Sequence, residues 1–305
     1  MGKIKILFKE LRAEFLSASI LPVLVATILS YYERTTFNLR LFFLTLAGVT
    51  FLHLGTNVAN DYFDHKSGND ELNRNFVRPF TGGSRLIQDG ILSPRTVLIM
   101  SIVFFLLGII AGVPLIISRG PTILTLGLIG IISGYFYTAP PIKFAYRGIG
   151  EIIIGINFGI LITCGAYFVQ TGTISLSALI VSIPLATLIS AVVIINEFQD
   201  SEADAMVGKK TIVVRIGKRN SVTLLTIIAI VSFIPLILGS YLHHIPPLTL
   251  IALLGGIPLI KGLKVARANY NKSIELAQAN ASFVIGHTLT AILIVVGIGL
   301  NTLIR

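Results

Sequence analysis

The sequence predicts an all-α, polytopic membrane protein, and three observations carry that expectation. Hydrophobic residues make up 54% of the 305 residues and charged residues only 12%. Apolar runs long enough to cross a bilayer recur along the whole chain. They are continuous rather than alternating, which excludes a β-barrel. The basic residues behind the net charge of +10 are dispersed among the loops between those runs. That distribution fits the positive-inside bias of membrane proteins better than a nucleic-acid surface. Cys164, the one cysteine, lies in an apolar run, so neither a disulfide framework nor a thiolate metal site is expected.

Taken in order, residues 1–15 predict an amphipathic interfacial helix. Ile4, Leu7, Phe8, Leu11 and Phe15 share one face, while Lys3, Lys5, Lys9, Glu10 and Arg12 fill the other. The stretch lacks the apolar core and small-residue cleavage site of a signal peptide. Nine spans follow, near 16–32, 39–60, 96–117, 121–138, 149–170, 174–197, 220–242, 247–261 and 279–303. The eighth is short and interrupted by Gly255, Gly256 and Pro258, which predicts a kink or a tilt. Residues 262–278, polar with scattered apolar positions, predict a second interfacial helix. With nine spans, twenty of the 24 Lys and Arg residues fall on one side, leaving Arg34, Arg40, Arg119 and Arg305 on the other. That asymmetry places the amino terminus and the long polar loops in the cytoplasm.

Two of those loops begin with the same pattern. His53, Asn57, Asn60 and Asp64 form one polar stripe leading out of the second span, with Asp61 and Asp70 close by in sequence. Asn196, Asp200 and Asp204, each four residues apart, end the sixth span. Asn60 to Asn196 and Asp64 to Asp200 are both separated by 136 residues. The repeat predicts one unit, residues 1–305, made of two related halves at about 16–138 and 149–261 plus a last helix at 279–303, with the acidic loops capping a central cavity. Carboxylates beside a low-dielectric slab are costly unless compensated. Hard oxygen ligands of high charge suit Mg²⁺ held jointly with substrate phosphates. The candidate metal set is Asp61, Asp64, Asp70, Asp200 and Asp204, with Asn60 and Asn196 as orienting or ligating amides. Basic and polar side chains nearby, Arg78, Lys143, Arg147, Lys209 and Tyr137 together with the same two asparagines, are candidates to clamp a diphosphate. Metal plus diphosphate at the mouth of an apolar cavity points to an isoprenyl diphosphate, whose departing head leaves an allylic cation. His53 and Asn57 are candidate polar residues of the cavity wall, although a buried structural histidine is the plainer reading of His53. A cation-coupled transporter is the alternative from another class; its relay acids would sit mid-span, whereas these sit at span ends. A phosphatidyl-group transferase would carry an Asp-Gly-x-x-Ala-Arg motif, which is absent.

The motifs are Asn60-Asp61-Tyr62-x-Asp64-x-x-x-Gly68-x-Asp70 and Asn196-x-x-x-Asp200-x-x-x-Asp204-x-x-x-Gly208-Lys209-x-Thr211. Arg78-Pro79 with Gly82-Gly83, and Tyr137-Thr-x-Pro-Pro through Arg147-Gly-x-Gly-Glu151, accompany them. Together they resemble the UbiA superfamily of intramembrane prenyltransferases. The resemblance implies nine transmembrane helices around a central cavity, acidic cap loops, and Mg²⁺-dependent transfer of a prenyl group from an isoprenyl diphosphate to an acceptor within the lipid bilayer, with no protein partner implied. The plainer family pattern repeats an acid four residues after Asp64, but here that position is Gly68 and the acid is Asp70. With Thr81-Gly-Gly-Ser84, this form is similar to the menaquinone branch. It implies an aromatic acceptor, 1,4-dihydroxy-2-naphthoate, rather than 4-hydroxybenzoate or geranylgeranylglyceryl phosphate. Asp64, Asp200, Asp70 and Asp61 are the candidate catalytic acids, and the sequence does not choose between Asp70 and the departing diphosphate as base.

The charge asymmetry is testable by labelling. With Cys164 replaced by Ala, an impermeant thiol reagent added outside intact cells should label a cysteine introduced by His243→Cys and not one introduced by Ser67→Cys. Labelling of the Ser67→Cys protein from outside would reverse the topology.

Overall fold

The computed structural model describes residues 3–304, without the side chains of residues 3–5 and 7. Arg305, and the side chains of part of the expected amphipathic face (Lys3, Ile4, Lys5, Leu7), therefore lie outside what is described. Every regular element among the described residues is a helix, and no strand occurs among them. A short helix α1 (Lys3–Leu11) leads through a 3-10 turn, Ala13–Phe15, into α2 (Ser17–Arg34). The chain then forms α3 (Leu39–Ser67), the single turn α4 (Asn69–Leu72), α5 (Pro94–Arg119) and α6 (Pro121–Tyr135). After a loop come α7 (Gly150–Thr171), α8 (Leu176–Met206), the short α9 (Ile212–Ile216), α10 (Lys218–Tyr241), α11 (Pro247–Asn269) and α12 (Ser273–Ile304).

Seven helices are long and apolar enough to cross a membrane: α3, α5, α7, α8, α10, α11 and α12. The chain is thus an integral, multi-pass membrane protein. An eighth candidate combines Phe8–Phe15 with α2 across a 45° bend, and α6, at 15 residues, is apolar but shorter. The interfacial helix expected over 262–278 is not a separate element. Its first half continues α11 to Asn269, and its second half opens α12 from Ser273. The expected irregularity of the eighth span takes the form of a 3-10 segment, Pro247–Gly255, which Gly255 and Gly256 join to a regular helix.

Local chemistry sets the helix ends. Asn38 accepts from the Leu41 amide to start α3, Ser93 caps α5 ahead of Pro94, and Ser175 caps α8 through the Ala178 amide. Gly68 ends α3 in the left-handed region, at φ 77°, which only glycine adopts without cost. Small residues let the helices close. Gly159 of α7 lies directly against the Ala186 backbone of α8, and Gly297 of α12 against the Leu248 carbonyl of α11. Part of the polar face of α1 is turned to the protein. Lys9 pairs with Asp89 at 3.5 Å, and Glu10, fully buried, accepts from the Ser84 hydroxyl at 2.7 Å, so this face seals the loop that follows α4.

The Gly159 contact predicts a steric test. Gly159→Ala should lower the thermal midpoint in detergent, since overpacking against backbone costs about 1–3 kcal/mol. Gly112→Ala, where an added carbon meets open space, should leave it unchanged. Equal midpoints for the two variants would contradict the packing described.

Candidate active site

The polar stripe of α3 and the acidic end of α8 arrive at one end of the bundle and face each other across a cavity. Asn57, Asn60, Asp64, Asp70, Asn196, Asp200, Asp204, Lys209 and Tyr137 line its polar end, of about 200 Å³. His53, Thr56, Tyr137, Ile154 and Phe158 are shared with an apolar channel of about 300 Å³ that runs down between α3, α5, α6 and α7 as far as Leu115, Ile123 and Val169. The acids therefore sit at the mouth of a hydrophobic tunnel.

Cross-links from the loops join the two acidic helix ends. Lys209 Nζ lies 3.4 Å from Asp64 Oδ2 and 3.4 Å from Asp204 Oδ1, bridging the half-sites. Asn69 Nδ2 donates to Asp204 Oδ1 at 3.0 Å, and Asn73 Nδ2 to Asp200 Oδ1 at 2.6 Å. Asn60 Nδ2 donates to Asp64 Oδ2 at 3.2 Å. Gly68 makes this possible by folding α4 back so that Asp70, Asn69 and Asn73 come under the end of α8. Gln88 Nε2 donates to Asp70 Oδ2 at 3.3 Å, and Arg85 fixes the same turn through the Asp70 carbonyl at 2.8 Å.

Electrostatics follow burial. Desolvation pushes the Asp70 carboxyl well above the usual range, and the charges of Asp64 and Asp61 push it the same way. For Lys209, burial disfavours the ammonium, but Asp204 and Asp64 outweigh it and hold the proton more firmly than in water. Burial likewise pushes the Tyr137 hydroxyl up, with Glu197 adding to the shift, so it stays a donor.

The donor set suits a hard cation. Asp61 Oδ1, Asp64 Oδ1, Asn60 Oδ1 and Asn69 Oδ1 are buried acceptors with no hydrogen-bond partner. Three of these, on Asn60, Asp64 and Asn69, belong to residues that line the cavity and would suit Mg²⁺. Among the described residues, no three His, Cys, Asp or Glu side chains close on one point. Lys209 and the Asn69 and Asn73 amides lie between the acidic ends of α3 and α8.

The family model for "UbiA prenyltransferase family" matches residues 19–300. A 1,4-dihydroxy-2-naphthoate octaprenyltransferase of Bacillus subtilis is 31% identical over 231 residues, covering 75% of this chain and 72% of that protein. The chain belongs to the UbiA prenyltransferase family. Two solved structures have the same fold. The apo structure of a UbiA homolog from Aeropyrum pernix K1 has a TM-score of 0.69 at 16% identity, covering 94% of this chain and 98% of that one. A UbiA homolog from Archaeoglobus fulgidus, bound to DMAPP and Mg²⁺, has a TM-score of 0.65 at 15% identity over 94% and 98%. As a UbiA member the chain is an enzyme, a prenyltransferase.

Within this UbiA chain the expected site residues divide. Asn57, Asn60, Asp64, Asp70, Asn196, Asp200, Asp204, Lys209, Tyr137 and His53 come together at the cavity. Asp61, buried, turns instead to the loop behind it, accepting from the Ser84 amide at 2.8 Å. Three expected diphosphate residues do not line the cavity. Arg78, whose side chain is 44% exposed, pairs with Asp89 at 3.2 Å. Lys143 stands 4.7 Å over the Tyr146 ring, and Arg147 donates to the Ile142 carbonyl. Their local partners hold them on the outside of the loops. His53 packs edge-on against Phe158 at 4.6 Å and pairs with the Ser19 hydroxyl at 2.5 Å. Residues absent from the sequence expectations also line the polar end: Asn69, Asn73, Glu197 and Arg12. Asn69 and Asn73 flank the singled-out Asp70, so their spacing was a usable signal. Arg12 reaches the wall only because the chain takes a left-handed turn at that residue, φ 49°, which no periodicity reveals.

Proposed function

We propose that this enzyme transfers a polyprenyl group from an isoprenyl diphosphate to an aromatic acceptor, 1,4-dihydroxy-2-naphthoate, in the manner of menaquinone biosynthesis. The observation that supports it most directly is the continuity between a carboxylate-rich, Lys-bridged pocket and an apolar channel. In this reading nine helices cross the membrane, α2 and α6 included, as two related halves and a last helix. The pocket opens toward the cytoplasm.

Asp64, Asp70, Asp200 and Asp204, with the Asn60 oxygen, would hold Mg²⁺. Bound there, Mg²⁺ would neutralise charge on the departing diphosphate. Asp61 supports this set from behind by fixing the Gly83–Ser84 turn. Lys209, Tyr137 and Asn196 place donors around the diphosphate, the geometry in which hydrogen bonds strengthen as charge develops. The prenyl tail lies along the channel, and its C1 meets the acceptor near Phe158 and Tyr137. Their ring faces shelter the allylic cation while water is excluded. The C1–oxygen bond breaks as an electron-rich ring carbon forms its bond to C1. The ring proton then passes to a carboxylate or to the released diphosphate. Asp70 and the released diphosphate are the two candidate acceptors for that proton.

Product analysis tests the reading. Purified protein given Mg²⁺, an isoprenyl diphosphate and a mixture of 1,4-dihydroxy-2-naphthoate, 4-hydroxybenzoate and geranylgeranylglyceryl phosphate should yield prenylated naphthoate-derived product as the main species by mass spectrometry. A prenylated glyceryl phosphate as the main product would overturn the acceptor assignment.

A further inference from the structure

The two motif asparagines hold the same position in their repeats, yet they present opposite edges. Asn60 donates its Nδ2 to Asp64 at 3.2 Å and keeps Oδ1 without a hydrogen-bond partner. Asn196 is gripped from outside the repeat, by Asn280 of the last helix. Asn280 is 0% exposed. Its Nδ2 donates to Asn196 Oδ1 at 2.7 Å and to the Ile195 carbonyl at 3.2 Å. A backbone carbonyl can only accept, so Ile195 fixes which end of the Asn280 amide is nitrogen. That nitrogen in turn fixes Asn196. The Asn196 oxygen is turned toward α12, and its Nδ2, which has no hydrogen bond among the described residues, remains on a residue that lines the polar cavity.

We propose that Asn280 is a positioning residue that commits Asn196 to donating a hydrogen bond to the anionic head of the isoprenyl diphosphate and withdraws its oxygen from the cation. The inference rests on the reading of the cavity as a diphosphate site. It divides the two asparagines by role: the first half offers an oxygen to the metal, and the second offers an N–H to the phosphate. A purely apolar last helix could not make this distinction. A buried amide in α12 would otherwise be an expensive way to pack two helices.

A double-mutant cycle tests it, with Asn280→Asp and Asn280→Leu made in the wild-type and Asn196→Ala backgrounds. Asp keeps the volume but presents oxygen to Asn196, so Asn196 must turn its amide nitrogen away from the cavity. Asn280→Asp should raise the KM for the isoprenyl diphosphate about tenfold, the effect of losing one hydrogen bond to a charged group. The acceptor KM and the Mg²⁺ concentration for half-activation should stay unchanged, and the substitution should add nothing in the Asn196→Ala background. Asn280→Leu should follow the same pattern. A substitution that acts only through stability would move the detergent melting point and would add to Asn196→Ala, and that outcome overturns the proposal. A shift in Mg²⁺ half-activation with an unchanged donor KM also overturns it, since Asn196 would then ligate the metal. Titrating inorganic diphosphate onto the purified protein makes the comparison without turnover. If wild type binds none, the diphosphate reading of the cavity fails and this inference with it. If wild type binds and Asn280→Asp binds equally well, this inference alone fails.

Discussion

The structure around the cavity depends on one buried cation. Lys209, with a side chain only 12% exposed, sits between Asp64 of the first half and Asp204 of the second, at 3.4 Å from each. Two acidic helix ends brought together beside an apolar channel would repel each other. Removing one partner from such a buried pair typically costs ~3–5 kcal/mol, because the remaining charge is left uncompensated. Lys209 reaches this position because Gly208, at φ 73°, ends α8 just beyond the acids and turns the chain back across them. The Asn69 amide shares Asp204 Oδ1 with Lys209, and the Asn73 amide donates to Asp200 Oδ1.

From that constraint the rest of the site follows. Because the compensation is supplied partly by the α3–α5 loop, the loop must be held in place, and the fold does so from two sides. Asp61 anchors its Ser84 amide, and Glu10 anchors the Ser84 hydroxyl from α1. The first helix therefore buttresses the loop that follows α4. The last helix has a similar reach: α12 packs along α8 and grips the second motif at Asn196 through Asn280. Substituting either end of the chain would disturb the pocket without touching an acid.

Much of this was legible in the sequence. The spans α3, α5, α7, α8, α10, α11 and α12 correspond to continuous apolar runs, because a bilayer imposes length and apolarity directly. The two acidic motifs were legible because helical spacing carries Asn60 with Asp64, and Asn196 with Asp200 and Asp204, onto one face. What escaped were features set by tertiary contact. Arg78, Lys143 and Arg147 read as phosphate clamps by proximity in sequence, but Asp89, the Tyr146 ring and the Ile142 carbonyl hold them elsewhere. Asn280 lies among other polar residues, Gln278 and Ser282, at the start of the last span, with no acidic motif to mark it. Arg12 read as one residue of a polar helix face, and the left-handed turn at its own position takes it to the cavity wall. The interfacial helix expected over 262–278 failed because scattered polar residues at the ends of long spans mimic a separate amphipathic segment.

The central claim is that the acidic ends of α3 and α8 act as one receptor for a diphosphate together with Mg²⁺. Calorimetric titration of inorganic diphosphate onto purified wild type, Asp64→Asn and Asp200→Asn, each with and without Mg²⁺, measures that directly. The account predicts Mg²⁺-dependent binding to wild type that is lost in both variants while each remains folded. Retention of Mg²⁺-dependent binding after either substitution would contradict it.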